Sequence, residues 1–449
     1  MFKKVPVWFV LLILWFSVVS IVLFGWAVWH VTTVPLGENI FSKKTANLIV
    51  SVARFPGEVK DVFSSFKTRS LLITPDLYPD VKGFKSEKNY VDSNYILLST
   101  YDYKNNAPVV KLLRLHDQKV VHSWEIDFAI ARRNNGALDK YLDTVALSSI
   151  RMAHPLLFPD GSIVFNTAGS VLVKIDKDSK LVWVLDGAFA HSLEFDADGN
   201  IWAQSTIKNS DVLPGVLDGF ENDAIIKVSP EGEVLFQKSV ADILVENGYR
   251  GLLIGSLIEV DLTHLNDIQP ALKSSKYWAK GDLLISLRNK STIFLYRPST
   301  NKVIWLKTGP WLNQHDVDFV DSTRIGVFGN DMVRKLFSRR QSIGDHESLL
   351  NGYNNEYVYD FKTNETTTPY TEFFKKAKVS TLTEGRSDIL QDGDLFIEET
   401  NNNRMLRGNE KDIKWQYVER INDHSLAALS WSRFITKKEF EKLLFLKIK

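Results

Sequence analysis

Cysteine is absent from this 449-residue sequence, which excludes a disulfide framework, thiolate metal sites and a cysteine nucleophile. Neither sign of charge is in excess, because 55 Lys and Arg residues balance 54 Asp and Glu residues. We therefore expect no nucleic-acid partner. No glycine-rich phosphate loop is present either, so we expect neither a nucleotide donor nor a cofactor. With 44% hydrophobic residues, the chain can still bury a large core.

A single long hydrophobic run occupies the N-terminus. Residues 5–31 are almost entirely apolar, whereas about 20 residues suffice to cross the hydrocarbon core of a membrane. The run lacks a small-x-small cleavage motif, which favours an uncleaved signal anchor over a cleaved signal peptide. Since Lys3 and Lys4 precede it, the positive-inside rule places the large C-terminal part outside the cytoplasm, in the periplasm or the extracellular space.

The rest of the chain divides by pattern. Residues 1–32 form the cytoplasmic N-terminus and the anchor, and residues 33–90 form a linker with short helices, one of which places Val59, Val62, Phe63 and Phe66 on one face. Residues 91–430 form the main domain. Residues 431–449 form a C-terminal packing helix or tail, where Thr436 and Glu439 predict a capping box.

The main domain consists of short apolar or alternating runs separated by Asp-Gly and similar turns, a pattern typical of antiparallel strands. Aligning these turns gives six units, which begin near residues 92, 152, 190, 260, 314 and 384. Each unit has about four strands. The predicted fold class is therefore all-β, a six-bladed β-propeller preceded by a transmembrane helix and a short helical linker. Extra residues at 208–222, 240–259 and 333–352 should rim the mouth of its channel.

Four histidines open stretches that resemble one another: His154 in HPLLFPDG, His191 in HSLEFDADG, His264 in HLNDI and His315 in HDVDFVD. Equivalent positions of a radial repeat converge on one axis, so these side chains could line one pocket. Arg288 ends the second strand of the unit that His264 opens. His154 has no polar neighbours and fits an echo of the repeat better than a site role.

Several imidazoles beside a guanidinium suit an anion. Neutral imidazole is a capable nucleophile because its ordinary pKa is about 6.5, and cationic neighbours stabilise the oxygens of a sulfuryl or phosphoryl group. Two alternatives remain at this point. The histidines could be hydrogen-bonded structural residues of the repeat, or they could bind zinc or copper. The charge of Arg288 argues against a metal cation in the same pocket, so we expect no metal.

The chain resembles the arylsulfate sulfotransferase family over roughly residues 150–430. The motifs that carry the likeness occur in the family's order: THLND at 263–267, GDLLISLR at 281–288, VIW at 303–305, QHD at 314–316 and VFGN at 327–330.

The resemblance implies a propeller enzyme outside the cytoplasm. It would transfer a sulfuryl group from a phenolic sulfate ester to a phenol by ping-pong chemistry. By motif, His315 would be the nucleophile, His264 and His191 would bind the sulfuryl oxygens or move the phenolic proton, and Arg288 would clamp the sulfate. The family's disulfide and its β-rich N-terminal dimerisation domain have no counterpart here, so oligomeric state and acceptor stay open. A noncatalytic anchored propeller that binds an anionic ligand or a protein is the alternative.

Overall fold

The computed structural model describes residues 6–33, 40–42, 44–46, 48–53, 72–87, 90–131, 135–142, 149–207, 213, 219–255, 260–334 and 347–446. The helix face predicted at Val59, Val62, Phe63 and Phe66 lies outside these residues. Two compact units are present, Met1–Arg69 and Ser70–Lys449.

The first unit contains the N-terminal helix, Val7–Thr33. Its segment Val7–Val31 is long and apolar enough to cross a membrane. Apolar side chains cover all sides of the helix, so it has no polar face of the kind that a surface helix of a globular protein shows. The sequence-based expectation of an apolar N-terminal helix is thus confirmed.

The second unit is mostly antiparallel β-sheet, as the turn pattern predicts. A four-stranded sheet pairs the C-terminal strand with early strands, in the order Arg433–Ile435, Tyr95–Asp102, Ala107–Arg114 and Lys119–Trp124. A second four-stranded sheet has the order Leu265–Pro270, Leu283–Leu287, Thr292–Arg297 and Lys302–Thr308. A third has the order Asp316–Phe319, Arg324–Gly329, Asn355–Asp360 and Glu365–Thr367. A five-stranded sheet has the order Arg386–Ile389, Leu395–Glu399, Arg404–Gly408, Ile413–Tyr417 and Phe84–Ser86.

A seven-stranded sheet holds the strands between residues 153 and 239. Its order is Ala153–Leu157, Ile163–Asn166, Ser170–Ile175, Leu181–Phe195, Ile201–Thr206, Asp223–Val228 and Val234–Ser239. The 15-residue strand Leu181–Phe195 is shared: residues 181–189 pair with the strand before it and residues 190–195 with the strand after it. One continuous strand therefore leaves one group of strands and opens the next.

Small elements complete the described fold. A three-stranded sheet joins Ile73–Pro75, Ser425–Ala427 and Arg420–Asn422, and a hairpin joins Met332–Arg334 to Glu347–Leu349. Short α-helices span Phe128–Ala131, Gly136–Leu142, Val240–Glu246, Arg250–Ile254, Thr371–Ala377 and Lys437–Phe440. The 3-10 turns are Arg288–Lys290, Pro298–Thr300 and Thr400–Asn402. The helix Lys437–Phe440 begins with the predicted capping box of Thr436 and Glu439.

The core lies between the faces of neighbouring sheets. Between the sheet that starts at Leu265 and the sheet that starts at Asp316, for example, Trp311 is fully buried among Leu295, Val317 and Tyr359. Burying one large side chain of this kind contributes about 3 kcal/mol or less by the area it removes from water. The packing of one sheet against the next therefore fixes the position of the first strand of each sheet.

Buried side chains also link the first strand of one sheet to the first strand of the next. Asp267 accepts a hydrogen bond from the Val317 N–H at 2.8 Å, and Asp316 accepts one from the Ser387 N–H at 2.8 Å. Burial raises the pKa of Asp267 to about 8, and the charge of Asp318 acts in the same direction. These bonds hold the first strands side by side, so their N-terminal ends meet in one region.

The three insertions predicted to rim the mouth lie only partly within the described residues. Their described parts include the helices Val240–Glu246 and Arg250–Ile254 and the hairpin that begins at Met332. The side-chain amide of Asn313 donates to the carbonyl of Met332 at 2.8 Å. That hairpin therefore starts beside His315 and the N-terminal end of the strand Asp316–Phe319.

Candidate active site

Residues with a left-handed backbone occur where the first strand of a sheet begins, or, in the seven-stranded sheet, where residues 190–195 begin to pair with the following strand. His154, His191 and His264 have φ angles of 50°, 53° and 50°. In the next sheet the left-handed residue is Asn313, with φ 50°, and His315 stands two residues later. The single repeat phase predicted for all four histidines is therefore wrong for His315. His315 lies directly before the strand Asp316–Phe319, and its ring still reaches the others.

The rings of His191, His264 and His315 converge. Their centroids lie 4.9 Å apart for His191 and His264, 6.0 Å for His191 and His315, and 6.1 Å for His264 and His315. One ring nitrogen from each histidine lies within 4.8 Å of the other two. We call these three residues the histidine cluster. The convergence predicted from the repeat is present for these three side chains.

His315 is the most deeply buried member, with 4% of its surface exposed. Its Nδ1 lies 2.8 Å from the Oδ1 of Asn330. Its Nε2 is buried and has no hydrogen-bond partner among the residues that the structure describes. A buried nitrogen without a protein partner is costly unless a ligand or water meets it, so a ligand or a water molecule is expected next to this atom.

His264 forms a carboxylate–imidazole pair with Asp261. Its Nδ1 lies 2.5 Å from the Asp261 Oδ2, and the side chain of Asn289 donates to the Asp261 carbonyl at 2.8 Å. Burial acts to raise the pKa of Asp261, but the hydrogen bond from His264 and the charges of His264 and Arg288 lower it on balance. Asp261 thus stays ionised and orients the ring of His264, as carboxylates do for catalytic histidines.

Burial and cationic neighbours keep two cluster members neutral. Burial lowers the pKa of His191 to about 3, helped by the charges of His264 and Arg288 and opposed by Asp261. Burial also lowers the pKa of His315 well below its ordinary value, together with the charges of His191, Arg288 and His264. Both imidazoles therefore keep a free lone pair at neutral pH.

Arg288 begins the 3-10 turn that follows the strand Leu283–Leu287, and it is 5% exposed. Its backbone N–H donates to the His264 carbonyl at 3.0 Å, and its side chain donates to Asn289 at 3.0 Å. The backbone bond to His264 places Arg288 next to the cluster, and its charge lowers the pKa of His191 and of His315. The cluster consequently combines neutral nucleophilic nitrogens with a fixed positive charge.

His154 is separated from the cluster by the ring of Trp431. It is buried and stacks on Trp431, with centroids 4.7 Å apart and an angle of 22° between the rings. Trp431 in turn meets His191 edge-on at 6.4 Å. Burial is the main reason why the pKa of His154 lies well below its ordinary value, with smaller contributions from arginine and histidine charges. His154 therefore supports the aromatic wall beside the cluster.

The sequence patterns indicated no role for three neighbours of the cluster: Asp261, Asn330 and Trp431. Trp431 has φ 58°, so it occupies the left-handed position that His154 and His191 occupy in their sheets. The phase of the repeat could have identified Trp431 from the sequence, whereas nothing in the sequence pairs Asn330 with His315.

The three imidazoles are the described residues that could hold a metal ion. The guanidinium of Arg288 works against a cation there, since like charges in a buried site repel strongly. The same guanidinium favours an anion.

A cavity lies at the C-terminal ends of the first strands, away from the ends that carry the histidine cluster. It has a volume of about 1180 Å³, and its lining includes Phe195, Pro270, Phe319, Arg386 and Arg433. No member of the histidine cluster lines it. The cluster is therefore a separate site.

Sequence and structure comparisons place the chain among known proteins. A family model described as Arylsulfotransferase (ASST) matches residues 154–420, more than half of the chain. This range contains the whole histidine cluster, Arg288, Asp261 and Asn330. No curated protein matches the sequence.

Several solved structures are weakly similar. One is a protein of unknown function from Bacteroides caccae, with 12% identity and a TM-score of 0.47 over 77% of this chain and 99% of that chain. Another is an inactive virginiamycin B lyase from Staphylococcus aureus with quinupristin, with 11% identity and a TM-score of 0.38 over 76% and 89%. A streptogramin B lyase has 10% identity and a TM-score of 0.39 over 79% and 98%. Similarities this low carry no functional argument.

Proposed function

The chain belongs to the arylsulfotransferase family, and from this premise we propose that it transfers a sulfuryl group from a phenolic sulfate ester to a phenolic acceptor through a sulfohistidine at His315. The observation that carries the proposal is the buried Nε2 of His315, which has no hydrogen-bond partner among the described residues and lies in the histidine cluster beside Arg288.

The first half-reaction uses the lone pair of this nitrogen. Nε2 attacks sulfur, the N–S bond forms, and the bond from sulfur to the aryl oxygen breaks so that a phenolate leaves with the electron pair. Arg288 faces the negative sulfuryl oxygens, and His191, being neutral, contributes a ring N–H. Such preorganised donors stabilise a loose, charge-separated transition state.

The second half-reaction reverses the first with a different phenol. His264, oriented by Asp261, accepts the proton of the acceptor hydroxyl, and the phenolic oxygen attacks sulfur. The N–S bond then breaks, His315 recovers its lone pair, and His264 releases the accepted proton to solvent, where it balances the phenolate of the first half-reaction. Splitting one displacement into two steps at one nucleophile is the usual advantage of covalent catalysis.

The architecture that we propose for this site is a six-bladed propeller. Dividing the strand Leu181–Phe195 between residues 189 and 190 turns the seven-stranded sheet into two groups of four. With the three four-stranded sheets and the sheet from Arg386 to Tyr417, this division supports six blades. We propose residues 91–430 as the catalytic domain, tethered outside the cytoplasm by an uncleaved N-terminal helix.

Covalent labelling tests the proposed chemistry directly. The full-length chain in detergent is mixed with a nitrophenyl sulfate and no acceptor, and its intact mass and peptide masses are measured. We expect one added SO₃ group on His315, loss of the label in His315→Ala, and retention in the matched variant His424→Ala, whose side chain is exposed. A folded parent with neither label nor transfer would refute the proposal. Anion binding that survives His315→Ala would then favour a noncatalytic binding protein.

A further inference from the structure

Asn330 has one defined orientation next to His315. It is fully buried, and its Nδ2 lies 3.1 Å from the Thr381 carbonyl oxygen and 3.0 Å from the Glu384 carbonyl oxygen. Carbonyl oxygens only accept hydrogen bonds, so the amide nitrogen must face them. The oxygen of the amide must then face the imidazole of His315.

The two carbonyls are themselves held in place. Asn354 donates to the Thr381 carbonyl at 2.8 Å and accepts from the Thr381 N–H at 2.7 Å. The hydroxyl of Thr381 donates to the Glu384 carbonyl at 2.7 Å. Rotating the Asn330 amide would point its oxygen at two fixed oxygens and deprive both of a donor. The orientation is therefore imposed by the fold.

This orientation decides which nitrogen of His315 carries hydrogen. The Asn330 Oδ1 can only accept, so the Nδ1 that lies 2.8 Å away must donate. In neutral imidazole the other nitrogen then holds the lone pair. We propose that Asn330 is a positioning residue that holds His315 in the Nδ1–H tautomer and so makes Nε2 the sulfuryl acceptor.

The catalytic consequence of this inference rests on the proposed function. Formation of the N–S bond then balances without an added proton carrier. When Nε2 bonds to sulfur, the ring keeps its Nδ1 hydrogen and becomes cationic, and the Asn330 oxygen accepts a stronger hydrogen bond from it. The departing phenolate carries away the electron pair of the broken S–O bond. In the opposite tautomer Nε2 would carry a hydrogen and offer no lone pair to sulfur.

The tautomer can be measured without any reaction. Full-length protein in detergent, labelled with ¹⁵N in histidine, is studied by NMR, and His315 is assigned by difference with His315→Ala. We expect a protonated Nδ1 and an unprotonated Nε2 in the parent, and a shift toward Nε2–H in Asn330→Leu. A parent that shows Nε2–H overturns the inference whether or not the protein transfers sulfate.

The rate of His315 labelling tests the catalytic consequence. We expect Asn330→Leu to label about 10–100-fold more slowly, the usual effect of losing a group that orients a histidine. Asn330→Asp keeps an oxygen that faces Nδ1 but turns its second oxygen toward the Thr381 and Glu384 carbonyls, so it should recover only part of the rate. Asn222→Leu removes a buried amide whose side chain bonds Ser239 instead of the residues that orient Asn330, so it is the matched control. Equal slowing by Asn330→Leu and Asn222→Leu would overturn the inference, whereas no label in the parent would refute the proposed function.

Discussion

Acid should not inactivate His315, the nucleophile that we propose, in the way it inactivates an ordinary histidine. With a pKa of about 6.5, an imidazole is only about 3% neutral at pH 5, so its reaction rate would fall about 30-fold between pH 8 and pH 5. Burial, helped by the charge of Arg288, holds the pKa of His315 well below this value. We therefore expect the rate of His315 labelling to fall by much less than about 30-fold over the same range.

The assay is a single-turnover measurement by rapid quench and intact mass. A nitrophenyl sulfate is the donor, because its leaving group is a weak base and departs without a proton from the protein. A rate that falls about 30-fold with a midpoint near pH 6.5 would refute the reasoning that burial keeps His315 neutral.

Stability in acid has to be followed in parallel by circular dichroism. His191 has a pKa of about 3 in the fold, below its unfolded value, so the unfolded chain binds more protons as the pH falls through 6.5. At pH 5 this residue alone lowers the free energy of unfolding by about 2 kcal/mol. The buried carboxyl of Asp267 acts in the opposite direction, because burial raises its pKa to about 8 and the fold holds its proton at pH 5.

Three further substitutions have defined outcomes. Asp261→Ala removes the acceptor of the His264 Nδ1–H, so steady-state transfer to a phenol should fall about 10–100-fold; an unchanged kcat would exclude Asp261 from orienting that ring. Glu356 has its pKa raised to about 8 by burial. Glu356→Gln should therefore gain stability over the parent by up to about 1.4 kcal/mol per pH unit from about pH 4.5 to about pH 8 in thermal melts, and a pH-independent difference would contradict this. Arg407→Leu leaves Asp92 buried without its ion pair and should cost about 3–5 kcal/mol in urea unfolding; a loss below 1 kcal/mol would show that the pair contributes little.

The fold was predictable where local pattern and turn chemistry agree. Asp-Gly and similar turns, each followed by a short buried run, predict antiparallel strands, and the described chain has them. The apolar run of residues 5–31 predicts a helix, and Val7–Thr33 forms one. Both predictions rest on hydrophobic periodicity and length, which need no knowledge of distant contacts.

The candidate site was predictable only in part. The repeat and the family motifs brought His191, His264, His315 and Arg288 together, and the structure places these residues close to one another. The repeat phase failed for His315 because a left-handed residue, Asn313, occupies the phase of the other histidines. A backbone angle of this kind depends on how the strand enters its sheet.

The residue types that could meet follow from the sequence alone: antiparallel strands separated by turns, imidazoles at strand starts and one arginine at a strand end. The protonation state of each group depends on tertiary packing. The stack of His154 on Trp431 joins positions far apart in the chain, and the hydrogen bond from His315 to Asn330 depends on carbonyls supplied by residues 381 and 384. Protonation and tautomer follow from burial and fixed neighbours, and those neighbours come together only when the sheets pack.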